Sequence, residues 1–141
     1  MKTQLGRFMI CLDTTFLIDY WRNSHQTEHA TRQFILANDG EDMVVPVSAA
    51  GEFLEGAAFV SLERLKGAAG FIRCFEIGKL DFDTAIHFAG IIAQLRHENA
   101  LAGQSKFDLW IASWAVQHGA RLATRNVKHF KMVPGLRLIA Y

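Results

Sequence analysis

Residues 7–22 read RFMICLDTTFLIDYWR, and the fold turns on how this stretch is divided. Arg7 to Leu12 is a short apolar run bounded by polar residues, the pattern of a buried strand. From about Thr15 to Trp21 the chain reads as a helix, with Asp19 as an acid on its surface. Asp13 stands at the join. A charge at such a corner is either a turn or cap residue or a group displayed where open parallel sheets bind ligands, outside the carboxyl ends of their strands.

The rest of the chain repeats the alternation. FILAN, ending near NDG, is a helix candidate. MVVPV from Met43 is a second buried strand, and SAAGEFLEGAAFVSLERL has helix-favouring Ala, Glu and Leu, with Gly51, Gly56, Gly67 and Gly70 as candidate breaks. CFEIG reads as a short strand. From Asp83, a plausible N-cap, the apolar residues Ile86, Ala89, Ile92 and Ala93 fall at helical spacing. SKFDLWIASWAVQHG is a helix opened by Ser105 and stopped by Gly119. RLAT is a strand, RNVKHF a loop or short helix, and LRLIAY a last strand. Short strands alternating with helices imply an α/β domain with a mostly parallel sheet, with residues 1–141 as a single domain.

Half of the residues are hydrophobic, which excludes a disordered chain. No run approaches the roughly 18–20 apolar residues of a membrane span, and Asp13 interrupts the N-terminal apolar run too early for a signal peptide. The two cysteines, Cys11 and Cys74, sit apart in apolar stretches and read as reduced, buried thiols of a cytoplasmic protein. The net charge of +1 gives no global basic field but leaves room for a local basic groove.

Four polar groups fall where this architecture displays chemistry. Asp13 follows the first strand, with Thr14 and Thr15 beside it to cap the next helix or bond the carboxylate. Glu52 follows the second strand among small residues. Glu55, three residues on, shares its helix face. Asp108 lies in the first turn after Ser105, in capping-box spacing, among Phe107, Leu109, Trp110 and Ile111. Asn126 follows RLAT in the most basic local patch, with Arg125, Lys128, His129 and Lys131. Each has a bland reading, as turn residue, solvated acid, helix cap or polar loop. Together they suggest more. Converging carboxylates repel unless a cation neutralises them, and all-oxygen ligands suit Mg²⁺ or Mn²⁺. Such a metal activates water and stabilises the charge of phosphodiester cleavage.

With CLDTTFLIDY, VPVSAAGEFLEGA, FDLWIASWAVQHGARLATRNVKHF and VPGLRLIAY in that order, the chain resembles a PIN-domain ribonuclease, specifically a VapC-type toxin of a type II toxin–antitoxin pair. The resemblance covers nearly the whole chain. It implies a three-layer α/β/α sandwich around the parallel sheet, a Mg²⁺- or Mn²⁺-dependent endoribonuclease acting on structured RNA such as tRNA or rRNA, homodimerisation, and a cognate VapB-like antitoxin. By motif, the acids of the pocket fall on Asp13, Glu52 and Asp108, directly or through water, and Asn126 on the fourth position. Thr15 replaces a frequent Asn or Ser, and His129 stands where many members carry another Asp. An imidazole suits a hard cation poorly, so one metal site is the safer expectation. Arg125, Lys128 and Lys131 are candidates for RNA backbone contacts, with Thr15 beside the substrate. Phe53, Phe59 and Trp21 are either partner contacts or core.

Two rivals remain. A phosphatase-like fold also places Asp after its first strand, but it commonly has a second acid two positions on, where this chain has Thr15. A PIN-like module that binds RNA or protein without cutting is the other.

Overall fold

The computed structural model describes residues 8–141. Strand β1 (Met9–Leu12) is sealed from solvent at Ile10, Cys11 and Leu12, as expected for a strand covered on both faces. Arg7, which the sequence reading includes in it, lies outside the described residues. The chain continues through α1 (Thr14–Arg22), α2 (Ala30–Ala37), β2 (Asp42–Pro46), α3 (Val47–Val60), α4 (Leu62–Ile72), β3 (Glu76–Gly78), α5 (Phe82–His97), α6 (Lys106–His118), β4 (Arg121–Ala123), α7 (Val127–Phe130) and β5 (Arg137–Ile139).

The five strands lie in the order β3-β2-β1-β4-β5, and every pairing is parallel. From β1 the chain steps outward to β2 and β3, then crosses to the other side of β1 for β4 and β5. Right-handed crossovers put the helices of these two directions on opposite faces, which gives the α/β/α sandwich. The reversal lies at β1, where Leu12 pairs with Ala123 and Cys11 with both Val44 and Leu122. A crevice opens outside the strand ends at such a reversal, and Asp13 is the next residue there. Across that edge α3 packs on both α1 and α6.

The long helix after β2 does break, but not at a glycine. Ser61 ends α3 and caps α4, its backbone extended and its hydroxyl accepting the Arg64 N–H at 3.0 Å. Asp81, not Asp83, is the N-cap of α5. It forms a reciprocal capping box with Thr84, which leaves Asp83 in the first turn. Cys11 is buried, whereas Cys74, just past α4, is exposed. The aromatics divide: Phe53 is core, Trp21 is partly buried against Phe53 and Phe71, and Phe59 is 89% exposed. Gly78, at the end of β3, is required by close approach, because a Cβ there would lie 2.5 Å from the Trp114 indole.

Candidate active site

Asp13 is the N-cap of α1 and is 2% exposed. Its Oδ1 accepts the Phe16 N–H at 2.9 Å, and the Thr15 hydroxyl spans both carboxylate oxygens at 2.9 and 3.0 Å. From β4's end, Thr124 donates its hydroxyl to Oδ2 at 2.5 Å and accepts the Asn126 N–H at 2.9 Å. The cap reading of Asp13 is therefore met, and the residue stands directly after the carboxyl end of β1. Burial pushes its carboxyl up, the Thr124, Phe16 and Thr15 donors pull it back, and the charge of Asp108 adds to the rise.

Glu52 is the sixth residue of α3. Its carboxylate accepts the Thr14 hydroxyl at 2.5 Å, so consecutive threonines of α1 hold two different acids. Glu52 also lines a cleft of about 180 Å³ with Trp21, Arg22, Phe53 and Arg64. Glu55 is exposed. Asp108 is the third residue of α6, capped through the Ser105 hydroxyl. No reciprocal bond completes a capping box. Its carboxylate instead faces His129 Nδ1 at 3.6 Å, an electrostatic contact longer than a hydrogen bond. Burial raises the Asp108 carboxyl, the charge of Glu52 raises it further, and His129 opposes both.

Asp13, Glu52 and Asp108 thus come from three elements to one sheet edge, the charge of Asp108 bearing on Asp13 and that of Glu52 on Asp108. Among the described residues, no three His, Cys, Asp or Glu side chains converge closely enough to hold a metal ion as they stand. Each acid is instead engaged by a neutral or basic neighbour. The donor set suits a hard cation chemically: oxygen ligands only, with two carboxyls whose raised proton affinity a positive charge would relieve.

Asn126 is the N-cap of α7, without a side-chain capping bond. Lys128 and Lys131 are exposed and make no ion pair among the described residues. Arg125 is paired, its Nη1 lying 3.0 Å from Asp19 Oδ2. Asp19 is therefore no surface acid. It is 8% exposed and also accepts the Tyr141 hydroxyl at 3.1 Å. Sequence reading offered Thr14 as a partner of Asp13, whereas it bonds Glu52, and it missed Thr124 as a carboxylate donor, along with Asp19 and Tyr141. The signal for Thr124 was the one that marked Asn126, a polar group directly after a strand.

The described residues contain no helix long and apolar enough to cross a membrane. A PIN domain model matches residues 10–136, and a search of curated proteins found no match. Among solved structures, a chain of DNA-bound VapBC from Salmonella typhimurium is 26% identical, with a TM-score of 0.81 over 94% of this chain and 98% of that one. VapBC2 from Rickettsia felis, bound to a promoter DNA fragment, gives 23% identity and a TM-score of 0.79 over 95% and 99%. FitAcB from Neisseria gonorrhoeae gives 20% and 0.77 over 93% and 97%. With the match spanning from within β1 to the approach of β5, and the three acids within it, the chain belongs to the PIN domain family.

Proposed function

We propose that the chain is a metal-dependent endoribonuclease, the VapC-type toxin of a toxin–antitoxin pair, cutting structured RNA such as tRNA or rRNA in the cytoplasm. The observation that carries this reading is the set of three acids from β1–α1, α3 and α6 at one sheet edge, electrostatically coupled through Asp108. Asp13, Asp108 and Glu52, the last directly or through water, would hold Mg²⁺ or Mn²⁺. Once bound, the ion supplies Lewis-acid charge and lowers the pKa of a water. Thr15 and Thr124 fix the Asp13 carboxylate, and Thr14 fixes Glu52. Asn126 would orient water or a ligand, while Lys128, Lys131 and the exposed Arg125 would contact RNA phosphates. His129 beside Asp108 favours a single metal, because an imidazole adds no oxygen ligand. A VapB-like antitoxin partner is supported by the complexes in which the similar structures were solved. A homodimer follows from the resemblance alone.

The test is cleavage of total RNA by the purified chain with Mg²⁺, Mn²⁺ or EDTA, beside Asp13→Asn. Cleavage should need the metal and fall about a hundredfold or more in the variant, because metal charge stabilisation is worth several kcal/mol and each ~1.4 kcal/mol is tenfold. Full metal-dependent cleavage by Asp13→Asn refutes the assignment. One observation favours a second reading, a PIN module that binds RNA without cutting it: the acids do not converge as ligands among the described residues. RNA binding with no cleavage under any divalent metal would decide for it. The phosphatase-like alternative has no support in the family match.

A further inference from the structure

Asp19 belongs to no part of the acid cluster, yet it is nearly as buried as Asp13. A buried carboxylate costs several kcal/mol unless it is paired, and a buried ion pair is often no better for stability than apolar residues of the same volume. Stability alone is therefore a weak reason for a charge here. Both partners of Asp19 arrive from the far end of the chain, Arg125 from beyond β4 and Tyr141 from beyond β5, and both meet the same oxygen.

Tyr141 reaches the acid site by two routes. Its ring packs edge-on against Phe16 at 4.8 Å and against Phe34 at 6.1 Å. Phe16 is the residue whose N–H caps Asp13. The Tyr141 hydroxyl donates to Asp19, one turn along α1 from Thr15, and Thr15 spans both oxygens of Asp13. Thr15 and Asp19 are four residues apart in α1 and so share one helix face. The hydroxyl of Tyr141 sits over that face.

We propose that Tyr141, oriented by the Asp19–Arg125 ion pair, is a positioning residue that holds Phe16 and the α1 face shared by Asp19 and Thr15, and thereby fixes the Asp13 carboxylate. This rests on the reading of Asp13 as a metal-site acid of a nuclease. A tyrosine needed only for packing would act through its ring, whereas this one also ties its hydroxyl to Asp19, one turn from Thr15.

Tyr141→Phe keeps the ring and removes the hydroxyl. The assay is binding of Mn²⁺ alone, followed by electron paramagnetic resonance, together with kcat and KM for RNA cleavage and a thermal melt. Tyr141→Phe should weaken Mn²⁺ binding and lower kcat about tenfold, the scale of lost ligand-orienting partners, with KM for RNA unchanged. Thr15→Ala should do the same, and the double variant should be no worse than Thr15→Ala alone, because the two act in one chain. Asp19→Asn, close in size, should also lower kcat and Mn²⁺ affinity, and it serves as the readout should Tyr141→Phe fail to fold. A lowered melting temperature with wild-type kcat and Mn²⁺ affinity in these variants overturns the proposal, as do Thr15 and Tyr141 effects that multiply. Asp13→Asn, run in parallel, separates the two levels. If it still cleaves fully, the nuclease reading falls. If it is inert while Tyr141→Phe is fully active, only the positioning role falls.

Discussion

Replacing Thr124 by valine keeps the β-branched shape and removes one hydroxyl with two tasks. It donates to Asp13 Oδ2 and accepts from the Asn126 N–H. Asp13 is 2% exposed, so water cannot replace the lost donor. A hydrogen bond to a charged group contributes about 1.5–3 kcal/mol and a neutral one about 0.5–1.5 kcal/mol. The first depends on Asp13 being ionised and the second does not. Burial above all raises the Asp13 carboxyl, so the folded chain binds that proton more readily than the unfolded chain. Ionising Asp13 therefore costs stability as pH climbs from the ordinary aspartate value through the raised one. Without Thr124 the carboxyl rises further, and the added loss develops as pH climbs from the wild-type folded value to this higher one and is complete above it. Urea unfolding followed by circular dichroism, in EDTA, should show Thr124→Val less stable by about 2–4 kcal/mol at pH 8. The deficit should shrink toward about 0.5–1.5 kcal/mol as pH is lowered toward 4. A deficit that is flat across this range, or that grows on acidification, refutes the assignment of the Thr124 hydroxyl to an ionised Asp13.

Gly78→Ala drives a Cβ into the buried Trp114 indole. It should cost about 1–3 kcal/mol, seen as a melting temperature lower by roughly 3–10 °C and a changed tryptophan emission. Phe59→Ser, at a side chain 89% exposed, should alter unfolding free energy by less than about 0.5 kcal/mol; a larger loss in urea titration would mean that Phe59 packs on something. In a thiol assay with Ellman's reagent, Cys74 should react in the native chain. Cys11, buried and with its thiol pushed up by burial and by the charge of Asp13, should react only on unfolding.

The acids were legible because strand ends and first helical turns are local features. Asp13 ends the most apolar run of its neighbourhood, and Asp108 follows a serine cap by three residues. Their partners were not legible, because a threonine after a strand is common and nothing near Thr124 says that its hydroxyl meets a carboxylate 111 positions earlier. Asp19 was misread for a related reason. Its burial is decided by segments arriving after β4 and β5, not by the pattern of α1. The break at Ser61 was misplaced because glycines are tolerated in a helix at about 1 kcal/mol each, whereas a serine able to end one helix and cap the next offers the chain a specific alternative. Cys74 was misjudged because an apolar neighbourhood in sequence does not fix the side of a helix end.

The pairing of β1 with β4 also sets a clock. The donor Thr124 and the Ala123 carbonyl that receives the Asp13 N–H leave the ribosome 110 residues or more after Asp13. At about 5–20 residues per second, that interval is roughly 6–22 s of synthesis. Until then β1 has only its β2 side to pair with among these strands, and the carboxylate has its α1 donors alone. A nascent chain, or one cut short before β4, carries Asp13 without the strand that closes the edge around it. Completion of the hydrogen bonds around Asp13 is thereby tied to the synthesis of β4 and of the residue after it.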